Sequence, residues 1–286
     1  MSVLLDDAVR FCRAGAYEEA LRRLQALLAV PGALTPGERS LALRHCADAR
    51  RGQSRWAEGL EFAAAAIAAA EQTGDTDLCA EARNAEAAIY HAQGRLEEAQ
   101  ARYTAALACG PSTRVRGILH QNLGTLAALR HDYPQATESF AVSLEAFRAA
   151  GYLRGIVMAQ INAGWVLIEQ GEPDAALAAL VQARNEASAE EDWDLYAEAA
   201  INIAQAQIGR GDLEAALAAT VEVLGHFTNG CNVRRQAECY RLLGQIHERQ
   251  GDAEAARALL RRGLSLAQGV GAEIEVGEIE GVLSGL

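Results

Sequence analysis

The sequence predicts an all-α solenoid of about seven helix-turn-helix copies closed by a C-terminal capping helix. Three observations carry this reading. Of 286 residues, 61 are alanine and only five are proline, a balance that favours helix. A six-residue motif recurs along the whole chain, and the segments between its copies place apolar residues at helical spacing. Aromatic residues supply 5% of the chain, so the core has to be built from small aliphatic side chains. An all-β fold does not fit this composition.

The motif reads GAYEEA (Gly15 to Ala20), GQSRWA (Gly52 to Ala57), GRLEEA (Gly94 to Ala99), HDYPQA (His131 to Ala136), GEPDAA (Gly171 to Ala176), GDLEAA (Gly211 to Ala216) and GDAEAA (Gly251 to Ala256). Measured at the final alanine, successive spacings are 37, 42, 37, 40, 40 and 40 residues. One solenoid domain over 1–286 follows, with copies near 2–36, 38–74, 77–112, 115–152, 155–192, 195–232 and 235–270 and a cap at 272–286.

Each copy predicts two helices. Helix A is the apolar-periodic segment before the motif, such as Ile118 to Leu129, and the motif glycine supplies the positive φ that ends many helices. Helix B opens with an acidic or proline-bearing first turn (Glu18, Glu97, Pro134, Pro173, Glu214, Glu254), where carboxylates meet the positive end of the helix dipole. Short breakers such as PGALTPGE (Pro31 to Glu38), AEEDWD (Ala189 to Asp194) and TNGCN (Thr228 to Asn232) form the corners between copies. The final alanine is expected at the close crossing of A and B. Twelve residues upstream the matching helix-A position is Gly124, Gly164 and Gly244, with Ala8, Ala87 and Ala204 elsewhere, so two small residues are expected to face each other. A single hairpin cannot cover its apolar face, so copies stack on their neighbours. The last segment, Gly271 to Leu286, carries Ile279, Val282, Leu283 and Leu286 at helical spacing and reads as a cap with its acids towards water.

All 26 basic residues are arginine. Without lysine, Walker-type phosphate loops, Schiff-base chemistry and protein-kinase nucleotide anchoring are excluded. A net charge of −12 argues against direct nucleic-acid binding. No apolar run reaches the roughly 20 residues a membrane span needs, and the start MSVLLDDAVRFCR has no basic leader, so a cytoplasmic location is expected. Cys12, Cys46, Cys79, Cys109, Cys231 and Cys239 form no Cys-x-x-Cys pair, which signals neither zinc nor disulfides. They read as small buried hydrophobes.

The spacing of Gly164, Gly171 and Ala176, echoed by Gly244, Gly251 and Ala256, resembles the tetratricopeptide repeat. The resemblance covers essentially the whole chain. A period near 40 residues is similar to the long-helix variety of Leu-Gly-Asn scaffolds, kinesin light chain and bacterial Rap regulators. It implies a right-handed superhelix with helix A on the concave face. The family's carboxylate clamp uses lysines, which this chain lacks. Rap-type phosphatase activity requires an added N-terminal helical bundle, and the repeats begin almost at Met1.

Asn122, Asn162 and Asn202 are spaced by 40 and 40 residues, each two before the small site. A carboxamide both donates and accepts, so a row of them matches the backbone of an extended peptide. In the long-helix relatives, similar asparagines clamp a peptide, and the resemblance carries that role to these three positions. Packing against neighbouring helices is the alternative. Trp165, flanked by Met158, Ile161 and Ile168, is an anchor pocket or core filler. Gln121, Thr125 and Gln205, with His91, Glu169 and Glu198, take comparable inward positions. Arg50, Arg241 and Arg249 either select acidic residues or pair within the chain.

The six histidines are isolated, His247 and Glu248 lack a second histidine, and neither a Gly-x-Ser-x-Gly elbow nor a dinucleotide fingerprint is present. The sequence therefore reads as a non-enzymatic bacterial module without cofactor or metal, binding a protein or peptide in a concave groove. A ligand-sensing regulatory module for a small peptide or metabolite, in bacterial signalling or transcription control, is the alternative. Self-association through alanine-rich edges is a third reading.

Overall fold

The structure, a computed structural model, describes residues 3–13, 16–229, 232–270 and 272–286, and every regular element among them is an α-helix. Fourteen of these helices pair as A–B hairpins. They are α1 (Val3–Arg13) with α2 (Tyr17–Leu28), α3 (Pro36–Gly52) with α4 (Trp56–Glu71), α5 (Thr76–Ala92) with α6 (Leu96–Leu107), and α7 (Thr113–Leu129) with α8 (Tyr133–Ala149). There follow α9 (Leu153–Glu169) with α10 (Pro173–Ala189), α11 (Trp193–Arg210) with α12 (Leu213–Asn229), and α13 (Val233–Arg249) with α14 (Ala253–Gly269). Helix α15 (Glu273–Gly285) comes last.

The chain forms two compact units, Met1–Tyr152 and Leu153–Leu286, divided where the fourth and fifth copies were expected to meet. Within each unit every A helix packs on its own B helix, on the preceding B helix and on the next A helix. Among the described residues no two B helices touch, so the A helices form the closer-packed side of each stack.

The turns follow from backbone stereochemistry. Gly94, Gly171, Gly211 and Gly251 adopt φ of 71°, 76°, 83° and 84°, a region that costs other residues a clash at Cβ. His131 holds the same left-handed turn at 59°, and Gly15 lies outside the described residues. A Cβ at any of those four glycines would meet nothing within 4 Å, so the cost at His131 is torsional. His131→Gly is expected to stabilise the first unit by about 0.5–1 kcal/mol after the lost Tyr133 contact and the extra chain entropy of glycine are set against it. A urea midpoint that falls would contradict this.

The second copy is displaced by two residues from the expected alignment. Helix α3 runs on through Gly52, whose open side receives the Tyr17 ring 2.4 Å from where a Cβ would stand. The left-handed turn falls instead on Ser54, at φ 56°. Ala57 is consequently exposed, while Gly59 is buried against Ile89. Counted at Gly59, the first two intervals become 39 and 40 residues, and the helix-A small site of this copy is Ala47, which is fully buried.

The expected small-on-small crossing is also corrected. The final alanines Ala20, Ala99, Ala136, Ala176, Ala216 and Ala256 are all fully buried, yet the helix-A glycines face a large side chain one turn further along helix B. A Cβ on Gly124 would lie 2.7 Å from the Phe140 ring, one on Gly164 would lie 2.6 Å from Leu180, and one on Gly244 would lie 2.5 Å from Leu260. Gly117 meets Phe147 at 2.7 Å in the same way. Removing the glycine side chain lets an aromatic or leucine lie flat on the helix backbone, which keeps the interior dense although few aromatics are present.

Helix α15 caps the last hairpin as expected. Ile279 is fully buried with Ala237, Leu260 and Ala267, and Val282, Leu283 and Leu286 pack around them. Its acids do not all face water: Glu275, 13% exposed, pairs with Arg234, while Glu278 stays half exposed and pairs with Arg241 at 3.1 Å. Cys46 and Cys239 are buried, Cys12, Cys79 and Cys109 are half-buried, and Cys231 lies outside the described residues. Burial pushes the Cys46 and Cys239 thiols up to about 12, which leaves them protonated and unreactive.

Candidate functional site

In the second unit, Met158, Asn162, Trp165 and Glu169 share one face of α9 at helical spacing. Asn162 is half-buried, and its carboxamide makes no hydrogen bond among the described residues. One repeat along, on the contacting helix α11, Asn202 donates to the Glu198 carbonyl at 3.0 Å. Its own carboxamide oxygen receives no donor among the described residues. Gln205, half-buried, follows Asn202 on the same face, and Trp165 is half-buried beside Asn162. Asn162 and Asn202 therefore present unused acceptors on adjacent A helices, with an indole next to the first.

The aliphatic residues expected around Trp165 serve the core. Ile161 is 2% exposed among Val157, Leu180 and Ile203, so it offers no surface to a ligand. Met158 and Ile168 lie half-buried against the same cluster.

Asn122 belongs to the first unit, and it is already used: its side chain donates to the Asn84 carboxamide oxygen at 2.7 Å, tying α7 to α5. Gln121 is buried at 9% exposure, and the Thr125 hydroxyl donates to the Gln121 carbonyl at 3.1 Å. Of the three, Asn122 ties two helices together, Thr125 bonds within α7 and Gln121 is buried, which leaves little for a ligand to capture. His91 and His120 stand on the same two helices, and burial, then Arg51 and Arg116 respectively, hold each imidazole below its ordinary value of 6.5. The folded state prefers them neutral, so the unfolded chain binds more protons below that value. Stability is then fully present above pH 6.5 and falls as the pH drops below it. A urea midpoint at pH 5.5 below that at pH 7.5 is expected, with a smaller difference in His91→Gln; an equal difference in the variant would contradict the assignment.

The arginines expected to select acidic ligands are consumed internally. Arg50, 8% exposed, pairs with Glu58 at 3.0 Å and Glu18 at 3.6 Å. Arg241, also 8% exposed, pairs with Glu278, and Arg249 donates to the Ile208 carbonyl at 2.7 Å. Sequence reading also missed a wider pattern of internal pairing. Successive A helices are braced by Arg44 with Glu81, Asn84 with Asn122, Arg154 with Asp192, and Glu198 with Arg235 at 3.2 Å. Each brace joins residues 37 or 38 apart, and a search for opposite charges one repeat apart would have found the three charged ones.

Among the described residues no group of three or more histidine, cysteine or acidic side chains is placed to hold a metal ion. No described helix is long and apolar enough to cross a membrane.

Stacked A–B hairpins with polar braces between successive A helices define a helical-repeat protein. The tetratricopeptide repeat family profile matches three of its copies, at residues 80–103, 157–182 and 237–262. No curated protein sequence matches the chain. Among solved structures, a Rap protein complexed with competence and sporulation factor superposes with a TM-score of 0.76 at 14% identity, covering 94% of this chain and 75% of that one. A tetratricopeptide repeat protein from Parabacteroides merdae superposes with a TM-score of 0.61 at 20% identity, covering 97% of each chain. NprR in complex with its cognate peptide NprX superposes with a TM-score of 0.57 at 17% identity, covering 98% of this chain and 71% of that one. At these identities the likeness is one of fold.

Proposed function

We propose that the chain is a non-enzymatic peptide-binding module whose A-helix face in the second unit takes an extended peptide. The observation that carries this is the pair of asparagines on α9 and α11: Asn162 makes no side-chain hydrogen bond among the described residues and Asn202 keeps its oxygen free. Backbone N–H groups of a peptide can donate to both oxygens, and the Asn162 NH₂ can return a bond to a peptide carbonyl. Trp165 supplies an indole surface for one ligand side chain. The absence of lysine directs recognition towards the backbone and away from a carboxylate clamp. The solved neighbours agree in kind, since one is complexed with competence and sporulation factor and another with a cognate peptide.

A displayed random-peptide library supplies the test ligand. Calorimetry with the selected peptide should show affinity falling by roughly 2–10-fold for each of Asn162→Ala and Asn202→Ala, the equivalent of about 0.5–1.5 kcal/mol per amide contact. Circular dichroism should remain unchanged. Unaltered affinity in the double variant would remove the proposal. The same neighbours favour a second reading, in which the bound peptide is a signal and the module a regulator. X-ray scattering with and without the selected peptide separates the two: a changed radius of gyration marks a sensor, and mass gain alone marks a scaffold. The reading places the protein in the cytosol, where peptide ligands and protein partners are both at hand.

A further inference from the structure

The corner between α10 and α11 holds a feature the peptide face does not use. Trp193, the first residue of α11, is 52% exposed, although an indole is among the most favourable side chains to bury. Its ring stands edge-on to Tyr196, with centroids 5.7 Å apart. Beside it opens a cavity of about 220 Å³ lined by Ser188, Trp193, Tyr196, Glu222, Val223 and His226. A second, shallower hollow of about 440 Å³ also borders the indole, lined by Glu190, Glu191, Asp192 and Asp194. Trp193 thus forms a wall shared by two hollows.

Five carboxylates (Glu190, Glu191, Asp192, Asp194 and Glu222) and two arginines (Arg154 and Arg184) meet at this corner, so its charge is net negative. Asp192 is accounted for, since it caps α11 by accepting from the Leu195 N–H and pairs with Arg154. Glu222 accepts from the Tyr196 hydroxyl at 2.9 Å, which holds that phenol above its ordinary value. Its second oxygen has no partner among the described residues. Asp194 is 81% exposed and, among the described residues, pairs only with His226, at 3.9 Å. The carboxylates of Glu190 and Glu191 face solvent. The aromatic pair already accepts one cation, because the Arg184 guanidinium lies 5.9 Å from the centre of the Tyr196 ring. No described cation lies over the Trp193 ring.

We infer that this corner is a docking site for an arginine side chain of a partner polypeptide, seated on Trp193 and held by Glu222 and Asp194. A guanidinium is planar, so it stacks on an indole, and its fork of donors can reach two carboxylates at once. The cavity admits one such group, and the surrounding acids exclude anionic residues. The site is separate from the α9 and α11 amide face and stands or falls independently of it.

The test follows the Trp193 indole N–H by NMR, assigned with Trp193→Phe, during titration at about 0.1 M salt with the peptide Gly-Arg-Gly-Arg-Gly. Matched peptides carrying citrulline or lysine, and free spermidine, serve as comparisons. The expected result is a saturable shift with the arginine peptide and at least roughly tenfold weaker binding of the citrulline peptide. Weaker binding of the arginine peptide in Glu222→Gln and Asp194→Asn is expected as well. No shift, or an equal response to citrulline, would overturn the site. An equal response to lysine or spermidine would reduce it to a general attraction for cations and overturn the arginine assignment. Undiminished affinity for the arginine peptide in both Glu222→Gln and Asp194→Asn would overturn the carboxylate roles.

Discussion

Gly164→Val is expected to destabilise the second unit by about 2–3 kcal/mol. A Cβ at this position already lies 2.6 Å from both Cγ and Cδ2 of Leu180. Because Cγ is the branch point, a simple rotation of the leucine tip does not clear the contact. Leu180 is fully buried among Val157, Ile161 and Ala183, so it has nowhere to move. Overpacking of this kind costs about 1–3 kcal/mol. Valine regains only a few tenths of a kcal/mol in helix propensity over glycine, so the clash wins. The pairing itself is tested by a cycle. Leu180→Ala alone should cost about 2–5 kcal/mol. Gly164→Ala in that background should cost less than it does in the native chain, because the vacated volume accepts the new methyl group. Urea unfolding followed by Trp165 fluorescence reads all four corners, and strict additivity would show that the two residues do not meet.

Phe140→Ala is expected to have the largest effect in the first unit, about 3–5 kcal/mol. The ring is 2% exposed and lies against the bare backbone of Gly124, so truncation empties the space on both sides of the crossing at once. Glycine cannot fill it. Gly124→Leu introduced with Phe140→Ala should restore part of the loss by returning bulk from the opposite helix. Amide hydrogen exchange should show α7 and α8 losing protection first, with the neighbouring α5 and α6 following through the α5–α7 contact. If all eight helices of this unit lost protection equally, the nearest-neighbour description would fail.

The helical hairpins were legible because their signal is redundant: glycine turns, first-turn acids and an apolar stripe repeat together in most copies. The second copy misled because Gly52 sits inside a helix while Ser54 takes the left-handed turn, reversing the residue preference on which the alignment relied. Pairing of Gly124 with Phe140 was not legible, since the partner depends on the crossing angle as well as on spacing. The amide row was half legible. Its period identified three equivalent positions, but whether an amide is free depends on the residue one helix away, as Asn84 shows for Asn122. Ile161 differs from Trp165 by one turn of α9, and only packing against α11 separates a buried filler from a half-exposed ring. Trp193 was hidden by its place in a breaker segment, where its neighbours suggested only a corner.

The braces between successive A helices have a consequence for how such a chain can change over generations. Arg44 with Glu81 and Arg154 with Asp192 place the cation first, Glu198 with Arg235 reverses the order, and Asn84 with Asn122 uses two amides. A hairpin moved to a rung of another kind would bring the wrong half of a pair. The modules look alike in outline, yet their junctions come in three types, and part of the order of the array is written in those types.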